Sequence, residues 1–406
     1  MWLARVWSAL VSSGGMRHNH RMKSLPPATQ LIGELVAIPS VSSPDVRFDQ
    51  SNRGVIDRLA EWAEHLGFRC EIQPLPQDPN KANLIATLGD GPGGLVLSGH
   101  TDTVPFDEAS WSTDPFELVA REDRLYGLGS ADMKGFFGAA LHAASRFDPK
   151  TLKEPIVLVA TADEESTMLG ARALVEAKRP TATRAIVGEP TGLAPVRMHK
   201  GILIESLRID GRSGHSSDPS LGHSALEAMH SVIAELLALR GELQAAHRND
   251  AFKVPVPTMN LGRIEGGDSP NRICASCSLT FDLRPLPSMP LEATRKSVRD
   301  RIDALLADTP FVVHWDALMH GVPPFETPAD AELVRAAEAL SGQASRAVMF
   351  CTEGPYLAEL GMETIICGAG SIDVAHQPDE YTDVPGVEAA TELYAQLIHR
   401  FCVAQP

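Results

Sequence analysis

The sequence predicts an α/β fold with a largely parallel sheet, interrupted by an inserted α+β domain. Short apolar runs typical of buried strands alternate with helical patterns in the first half of the chain, as at 95–99 and 156–162. After about Arg197 the strand-like runs alternate apolar and polar residues, as half-exposed strands do. Helix–strand alternation then returns. This order indicates a parallel sheet covered by helices, with a smaller domain inserted into it.

The first part of the chain supplies most of the predicted parallel sheet. Pro39 follows the first helical pattern, and Gly67 follows the second as a residue that ends helices. The predicted elements are helices at 29–37 and 52–66, strands at 69–72, 83–88 and 95–99, a hairpin at 119–127, a helix at 133–147, a strand at 156–162, a helix at 170–178 and a strand at 185–188.

The second part of the chain divides into the insertion and the return to the first domain. The insertion has strands at 202–210, 258–264, 273–282 and 311–318 and helices at 222–239 and 291–306. The return has helices at 329–340, 355–360 and 387–402 and strands at 347–350 and 364–367. We therefore predict a disordered N-terminal extension at 1–23, a catalytic domain formed by 24–196 and 316–406, and an inserted domain at 197–315.

Composition narrows the class of function. The 406 residues carry a formal net charge of -16, which argues against nucleic acid or an anionic membrane surface as a partner. Hydrophobic residues make up 44% and charged residues 22%, as in an ordinary soluble protein. Six scattered cysteines predict reduced thiols, and no apolar run approaches the roughly 20 residues that span a bilayer. We expect a cytoplasmic location.

Carboxylates and imidazoles follow the ends of several predicted strands. His100 and Asp102 follow one strand, Glu164 and Glu165 another, and Glu189 a third. Their strands end at the same edge of a parallel sheet, where ligands bind in open α/β folds. The spacing of His100 and Asp102 puts both side chains on one face of an extended chain, as for a metal ligand and the carboxylate that orients it.

Two further residues complete the candidate site. Asp132 opens a helix, and His376 lies in a glycine-containing loop after a strand. Converging carboxylates repel each other unless cations compensate their charge, and imidazoles together with carboxylates suit zinc or cobalt better than magnesium. The sequence therefore predicts two such ions per chain.

The roles of the ligands follow in part from their chemistry. Asp132 is the candidate to bridge the two ions, with His100 and Glu189 on one side and Glu165 and His376 on the other, although spacing does not fix this pairing. Glu164 and Glu165 should point in opposite directions on an extended segment. One of them then ligates a metal while the other accepts a proton from water.

The motifs resemble a known family of zinc aminoacylases and carboxypeptidases, whose members hydrolyse amide bonds. The resemblance spans roughly residues 29–402 and includes the insertion. Its motifs are His100-Thr-Asp-Thr-Val-Pro, Asp132-Met-Lys-Gly, Asp163-Glu-Glu, Glu189-Pro, Met198-His-Lys-Gly, Ser213-Gly-His-Ser-Ser-Asp-Pro, Gly267-Asp-Ser-Pro-Asn-Arg-Ile-Cys, Asp282-Leu-Arg-Pro, Phe350-Cys-Thr-Glu and Gly370-Ser-Ile-Asp-Val-Ala-His-Gln-Pro-Asp-Glu-Tyr.

The resemblance implies a role for each matching residue. It implies metal ligation by His100, bridging Asp132, Glu165, Glu189 and His376. Glu164 would be the general base, and Asp102 would orient His100. The inserted domain would form a homodimer in which His215 enters the partner's site and stabilises the oxyanion. Arg284 and Asn271 would bind the substrate's carboxylate, and Glu353 is our candidate for binding a cationic side chain.

The resemblance implies metal-dependent hydrolysis of the small molecule N2-acetyl-L-ornithine to L-ornithine and acetate, a step of arginine biosynthesis. The metal motifs do not separate this substrate from succinyl-diaminopimelate or another N-acyl amino acid. A non-catalytic metal-binding protein is the alternative from a different class. Glu164 argues against it, because a binding protein needs no free base beside its metal ligands.

Overall fold

The computed structural model describes residues 25–403, and the predicted disordered extension at 1–23 lies outside them. Helices cover both faces of a large sheet in this part of the chain. The helices are α1 Ala28–Val36, α2 Arg53–His65, α3 Lys134–Ala144, α4 Leu169–Ala177, α5 Ala225–Ala246, α6 Leu291–Leu306, α7 Glu332–Ser341, α8 Gly354–Glu359 and α9 Val384–Cys402. No helix among the described residues combines the length and apolarity needed to cross a bilayer.

The strands form three sheets. They are β1 Arg69–Pro74, β2 Ala82–Leu88, β3 Leu95–His100, β4 Val119–Arg121, β5 Arg124–Tyr126, β6 Ile156–Thr161, β7 Arg184–Pro190, β8 Val196–His199, β9 Leu203–Asp210, β10 Thr258–Gly266, β11 Ser276–Arg284, β12 Val312–Ala317, β13 Phe325–Glu326, β14 Arg346–Val348, β15 Glu363–Gly368 and β16 Tyr381–Asp383. The predicted α/β class is therefore confirmed, and the sequence missed only short strands such as β8, β13 and β16.

The central sheet is parallel in its middle and antiparallel toward its edges. Its order is β1-β2-β6-β3-β7-β15-β8-β13, and β14 pairs with β8. The neighbours β6, β3, β7 and β15 run parallel. Every residue of β3 and β6 is buried, as expected for strands covered on both faces. The carboxyl ends of these four strands therefore meet at one edge.

Two glycines allow α3 to pack closely against this sheet. A Cβ atom on Gly188 would lie 2.0 Å from Phe136 Cδ2, and one on Gly99 would lie 2.7 Å from Phe136 Cδ1. Both distances are shorter than carbon atoms tolerate, so a larger residue would push α3 away. This close approach brings Asp132, just before α3, next to the end of β3.

A separate antiparallel sheet forms within residues 203–317. Its order is β10-β11-β9-β12, and α5 and α6 pack against it around their own apolar core. Ser224 caps α5 by accepting a hydrogen bond from the Glu227 N–H, and α5 continues seven residues beyond the predicted end, to Ala246. This unit follows β8 and precedes β13, so it is inserted between two neighbours of the central sheet.

Candidate active site

His100, Asp132 and His376 form the centre of the candidate site. Asp132 Oδ1 lies 2.9 Å from His100 Nε2, and Asp132 Oδ2 lies 3.3 Å from His376 Nε2. The two carboxylate oxygens therefore each face a different imidazole. The Asp132 side chain is 6% exposed. This is the arrangement expected of a carboxylate placed between two cations.

The remaining acidic residues surround this centre from two sides. Ligand atoms of His100, Glu164 and Glu189 lie within 4.8 Å of one another, and so do those of His100, Asp132 and Glu165. His376 Nε2 also lies 2.9 Å from Glu165 Oε1. The structure thus brings together the following six predicted residues. They are His100, Asp132, Glu164, Glu165, Glu189 and His376.

The tautomer of His100 suits a ligand. His100 Nδ1 lies 2.9 Å from the backbone oxygen of Asp102, which only accepts hydrogen bonds, so Nδ1 carries the proton. Nε2 is then free to face the cluster. The Asp102 carboxylate oxygen is 3.7 Å from Nδ1, so Asp102 contacts the imidazole mainly through its carbonyl.

The Asp102 carboxylate instead holds the segment that carries the two glutamates. It accepts hydrogen bonds from the backbone N–H groups of Glu164 at 3.2 Å and Glu165 at 3.0 Å. These residues form a turn, so our prediction of an extended segment was wrong. The physical reason is that two successive N–H groups reach one carboxylate only when the backbone turns. Both glutamates consequently face the cluster instead of opposite sides.

Glu380 binds the backbone of the segment that ends at Asp132, a role that was not predicted from the sequence. Its buried carboxylate accepts hydrogen bonds from the backbone N–H groups of Gly129 at 3.1 Å, Ala131 at 2.8 Å and Asp132 at 2.9 Å. Burial and the nearby Asp132 charge raise the pKa of Glu380 to about 8. Glu380 belongs to the quoted motif that begins at Gly370, which was the available signal.

The electrostatics of the cluster favour bound cations. Burial, with the neighbouring carboxylates, raises the pKa of Glu189 and of Glu164 well above the usual value. Hydrogen bonds to Asp132 and Glu165 raise the pKa of His376 to about 10. Without metal, the cluster therefore retains protons to reduce repulsion among its carboxylates. Two imidazoles and four carboxylates fit two divalent cations of the zinc type.

Comparisons with known proteins identify the family of this chain. The model of the peptidase family M20/M25/M40 matches residues 96–400. The chain belongs to this family. Over 94% of its length, the chain is 47% identical to acetylornithine deacetylase from Proteus mirabilis, and the match covers 98% of that protein. The corresponding enzyme of Pectobacterium carotovorum is 46% identical, over 93% of this chain and 99% of that protein.

The M20/M25/M40 fold is also found among solved structures. The structure of an M20-family metallo-carboxypeptidase from Sulfolobus solfataricus aligns with a TM-score of 0.70 and 18% identity, over 92% of this chain and 99% of that chain. At this identity the likeness shows the shared fold alone. It covers both the central sheet and the inserted unit.

Three other predicted residues lie in the inserted unit of this M20/M25/M40 chain. His215 is exposed, and its Nδ1 lies 2.7 Å from Ser217 Oγ. Asn271 is on the adjoining loop, where its backbone oxygen accepts a hydrogen bond from the Ser216 N–H. The Arg284 guanidinium pairs with Asp282 at 2.9 Å. Among the described residues, neither group of candidate metal ligands includes any of the three.

Glu353 lies inside the main domain, just before α8. It is 1% exposed, and Glu353 Oε2 accepts a hydrogen bond from Ser98 Oγ at 3.3 Å. Its other carboxylate oxygen, Oε1, has no hydrogen-bond partner among residues 25–403. Burial raises the pKa of Glu353 to about 7. The structure thus places Glu353, our candidate for binding a cationic side chain, beside β3, and one of its carboxylate oxygens accepts no hydrogen bond from the described residues.

Proposed function

We propose that the chain hydrolyses N2-acetyl-L-ornithine to L-ornithine and acetate, within arginine biosynthesis. The observation that carries this proposal is Asp132, whose two oxygens face the imidazoles of His100 and His376 while Glu164 lies within the same cluster. The substrate is supported by the relatives at 46–47% identity, which are named acetylornithine deacetylase. The six free cysteines support a reducing compartment, the cytoplasm.

The site would hold two zinc or cobalt ions. His100 and Glu189 would ligate one ion, Glu165 and His376 the other, and Asp132 both. When bound, such ions lower the pKa of water and stabilise negative charge that develops on a carbonyl oxygen. The donor set supports zinc or cobalt over magnesium, because imidazole is a poor magnesium ligand.

Glu164 would serve as the general base and then as the general acid. It accepts a proton from the water that attacks the acetyl carbonyl, and it returns a proton to the leaving amine nitrogen. Burial and the neighbouring Glu165 and Asp132 charges raise the pKa of Glu164 in the metal-free site. Bound cations would lower this pKa, so that the carboxylate could accept a proton and later return it. The products balance as one acetate and one free amine for each water consumed.

Binding of the substrate would involve both units of the chain. Arg284 and Asn271 would bind its carboxylate, as a guanidinium and an amide do through charge-assisted hydrogen bonds. Glu353 would pair with its side-chain ammonium, which is supported by the unpartnered Oε1. Glu353→Gln should raise KM for acetylornithine several-fold with little change in kcat, and an unchanged KM would remove this role.

We further propose a homodimer formed by the inserted unit. Leu226 and Leu237 on α5 and Ile264 on the edge strand β10 are 50%, 40% and 52% exposed. Exposed apolar side chains beside an open strand edge are a typical interface. His215 of the same unit would then reach the partner's site and stabilise the oxyanion.

A substrate panel tests the proposed function. Purified protein loaded with zinc or cobalt is assayed with N2-acetyl-L-ornithine and, in parallel, N-succinyl-diaminopimelate. We expect rapid release of acetate and little release of succinate. Preferential turnover of the succinyl compound would assign a desuccinylase instead. Metal binding without turnover of either compound would contradict a hydrolase acting on these substrates.

A further inference from the structure

Asp163 precedes the two catalytic-site glutamates and is held by an unusual number of contacts. Its backbone is left-handed, with φ at 59°, a conformation that aspartate tolerates better than most residues. Its carbonyl oxygen accepts hydrogen bonds from the N–H groups of Thr167 at 3.1 Å and Met168 at 2.6 Å. Its carboxylate accepts one from Ser42 Oγ at 2.8 Å. Both the main chain and the side chain of Asp163 are therefore fixed.

Lys81 supplies the charge that balances Asp163. Its Nζ lies 2.6 Å from Asp163 Oδ1 and 2.7 Å from Asp49 Oδ1. The side chains of Lys81 and Asp163 are each 5% exposed, whereas that of Asp49 is 23% exposed. Burial lowers the pKa of Lys81, but the hydrogen bonds to Asp163 and Asp49 outweigh it and raise the pKa overall. Lys81 is thus a buried ammonium that stays charged.

The backbone of Lys81 is fixed as well. Its N–H donates to the Asp78 carbonyl at 3.0 Å, and its carbonyl accepts from the Leu75 N–H at 2.9 Å. Lys81 immediately precedes β2, which pairs with β6, and Asp163 follows β6. The ion pair therefore connects two neighbouring strand ends of the central sheet.

The turn that carries the two glutamates is consequently held from two sides. The Asp102 carboxylate binds the N–H groups of Glu164 and Glu165, and Lys81 binds the side chain of the residue before them. We infer that Lys81 is a positioning residue, whose buried ion pair with Asp163 fixes the direction in which Glu164 and Glu165 enter the cluster. This inference rests on the proposed hydrolase function for its kinetic consequence, but its geometric consequence for metal binding does not require turnover.

Lys81→Met tests the inference. The methionine keeps most of the side-chain volume but leaves Asp163 without its cation. We expect a loss of about 10- to 100-fold in kcat with little change in KM, as is typical when groups that orient metal ligands are removed. We expect a similar loss of Co²⁺ affinity, measured by calorimetric titration of the chelator-treated protein, for the ion bound by Glu165.

A second variant, Asp163→Asn, tests the same ion pair in case Lys81→Met does not fold. Asp163→Asn preserves a residue that tolerates the left-handed backbone, and Lys81 keeps Asp49 as its counter-charge. It should show the same two losses to a smaller extent. Wild-type Co²⁺ affinity and kcat in a folded Lys81→Met or Asp163→Asn protein would overturn the inference.

Arg299→Met is the matched control. It removes one cation from Glu205, which is 3% exposed in the inserted unit, away from the cluster. It should lower the melting temperature without changing Co²⁺ affinity or kcat. Equal losses of Co²⁺ affinity in Arg299→Met and Lys81→Met would show a general structural effect and overturn the positioning role. If the wild-type protein does not turn over acetylornithine, the proposed function fails, and the Co²⁺ titrations alone decide the role of Lys81.

Discussion

The Asp102 carboxylate accepts a 3.0 Å hydrogen bond from the backbone N–H of Glu165. It accepts a second one from the preceding N–H group at 3.2 Å. Asp102 thus connects the end of β3, where His100 lies, to the turn after β6. A carboxylate with two oxygens serves two donors, whereas an amide offers only one acceptor oxygen.

We therefore expect Asp102→Asn to misplace the turn. Its kcat should fall about 10- to 100-fold while the far-ultraviolet circular dichroism spectrum stays that of the wild type. Asp148→Asn is the matched control, since Asp148 caps an exposed 3₁₀ turn through the Lys150 N–H. Steady-state kinetics on both variants checks this. Wild-type kcat in Asp102→Asn would contradict the role of Asp102 in positioning the turn.

Glu164 and Glu165 are adjacent, yet we expect Glu164 to transfer protons and Glu165 to bind a metal ion. Glu164→Gln should retain two ions per chain and lose about 10²- to 10⁴-fold in kcat, because a general base is removed. Glu165→Gln should bind one ion about 10- to 100-fold more weakly, because a ligand is replaced by a neutral amide. Metal analysis after dialysis, together with kinetics, separates the two. Equal metal loss in both variants would refute this division of roles.

The raised pKa of His376 predicts how the stability of the metal-free protein depends on pH. Its pKa is raised to about 10 by hydrogen bonds to Asp132 and Glu165. A raised histidine pKa means that the folded state binds the proton more tightly, so this stabilisation is complete below about pH 6.5 and is lost as pH rises toward 10. The half-exposed side chain makes the effect modest.

Melting temperatures of chelator-treated protein between about pH 6 and about pH 11 measure this dependence, because this range brackets the two pKa values. The decline above about pH 6.5 should be shallower in His376→Asn. It should be unchanged in His230→Asn, because His230 is exposed on α5. A decline of the same steepness in His376→Asn would exclude this histidine as its source.

The proposed dimer predicts recovery of activity from two inactive variants. In a hybrid of His215→Ala and Glu164→Gln chains, the first chain keeps Glu164 and receives an intact His215 from the second. One of the two sites is then complete. A co-expressed random mixture should recover roughly a quarter of the wild-type activity if assembly follows two-fold symmetry. No recovery in a mixture that forms dimers would place His215 outside the partner's site.

The edge at which the site forms was predictable because most of the candidate metal ligands lie at or after the end of a strand. His100, Glu189 and the turn at Glu164 come from strands that the apolar runs indicated correctly. Parallel strands end at one edge, so strand order mattered less than strand direction. Asp132 was placed by its position just before α3.

The supporting contacts were not predictable in the same way. Asp102 shapes the turn at Glu164 across 62 residues of sequence, and Glu380 binds the Asp132 N–H across 248. Lys81 meets Asp163 across 82 residues. Such contacts leave no periodic signal, because they depend on how separate strand ends are arranged in three dimensions.

The most direct test of the central claim is acetate release from N2-acetyl-L-ornithine as Co²⁺ is added back to chelator-treated protein. Calorimetry on the same samples counts the ions bound per chain. We expect no turnover without metal, and a rate that reaches its maximum when two ions are bound by the cluster around Asp132. Full turnover by the metal-free protein, or binding of two ions without acetate release, would contradict it.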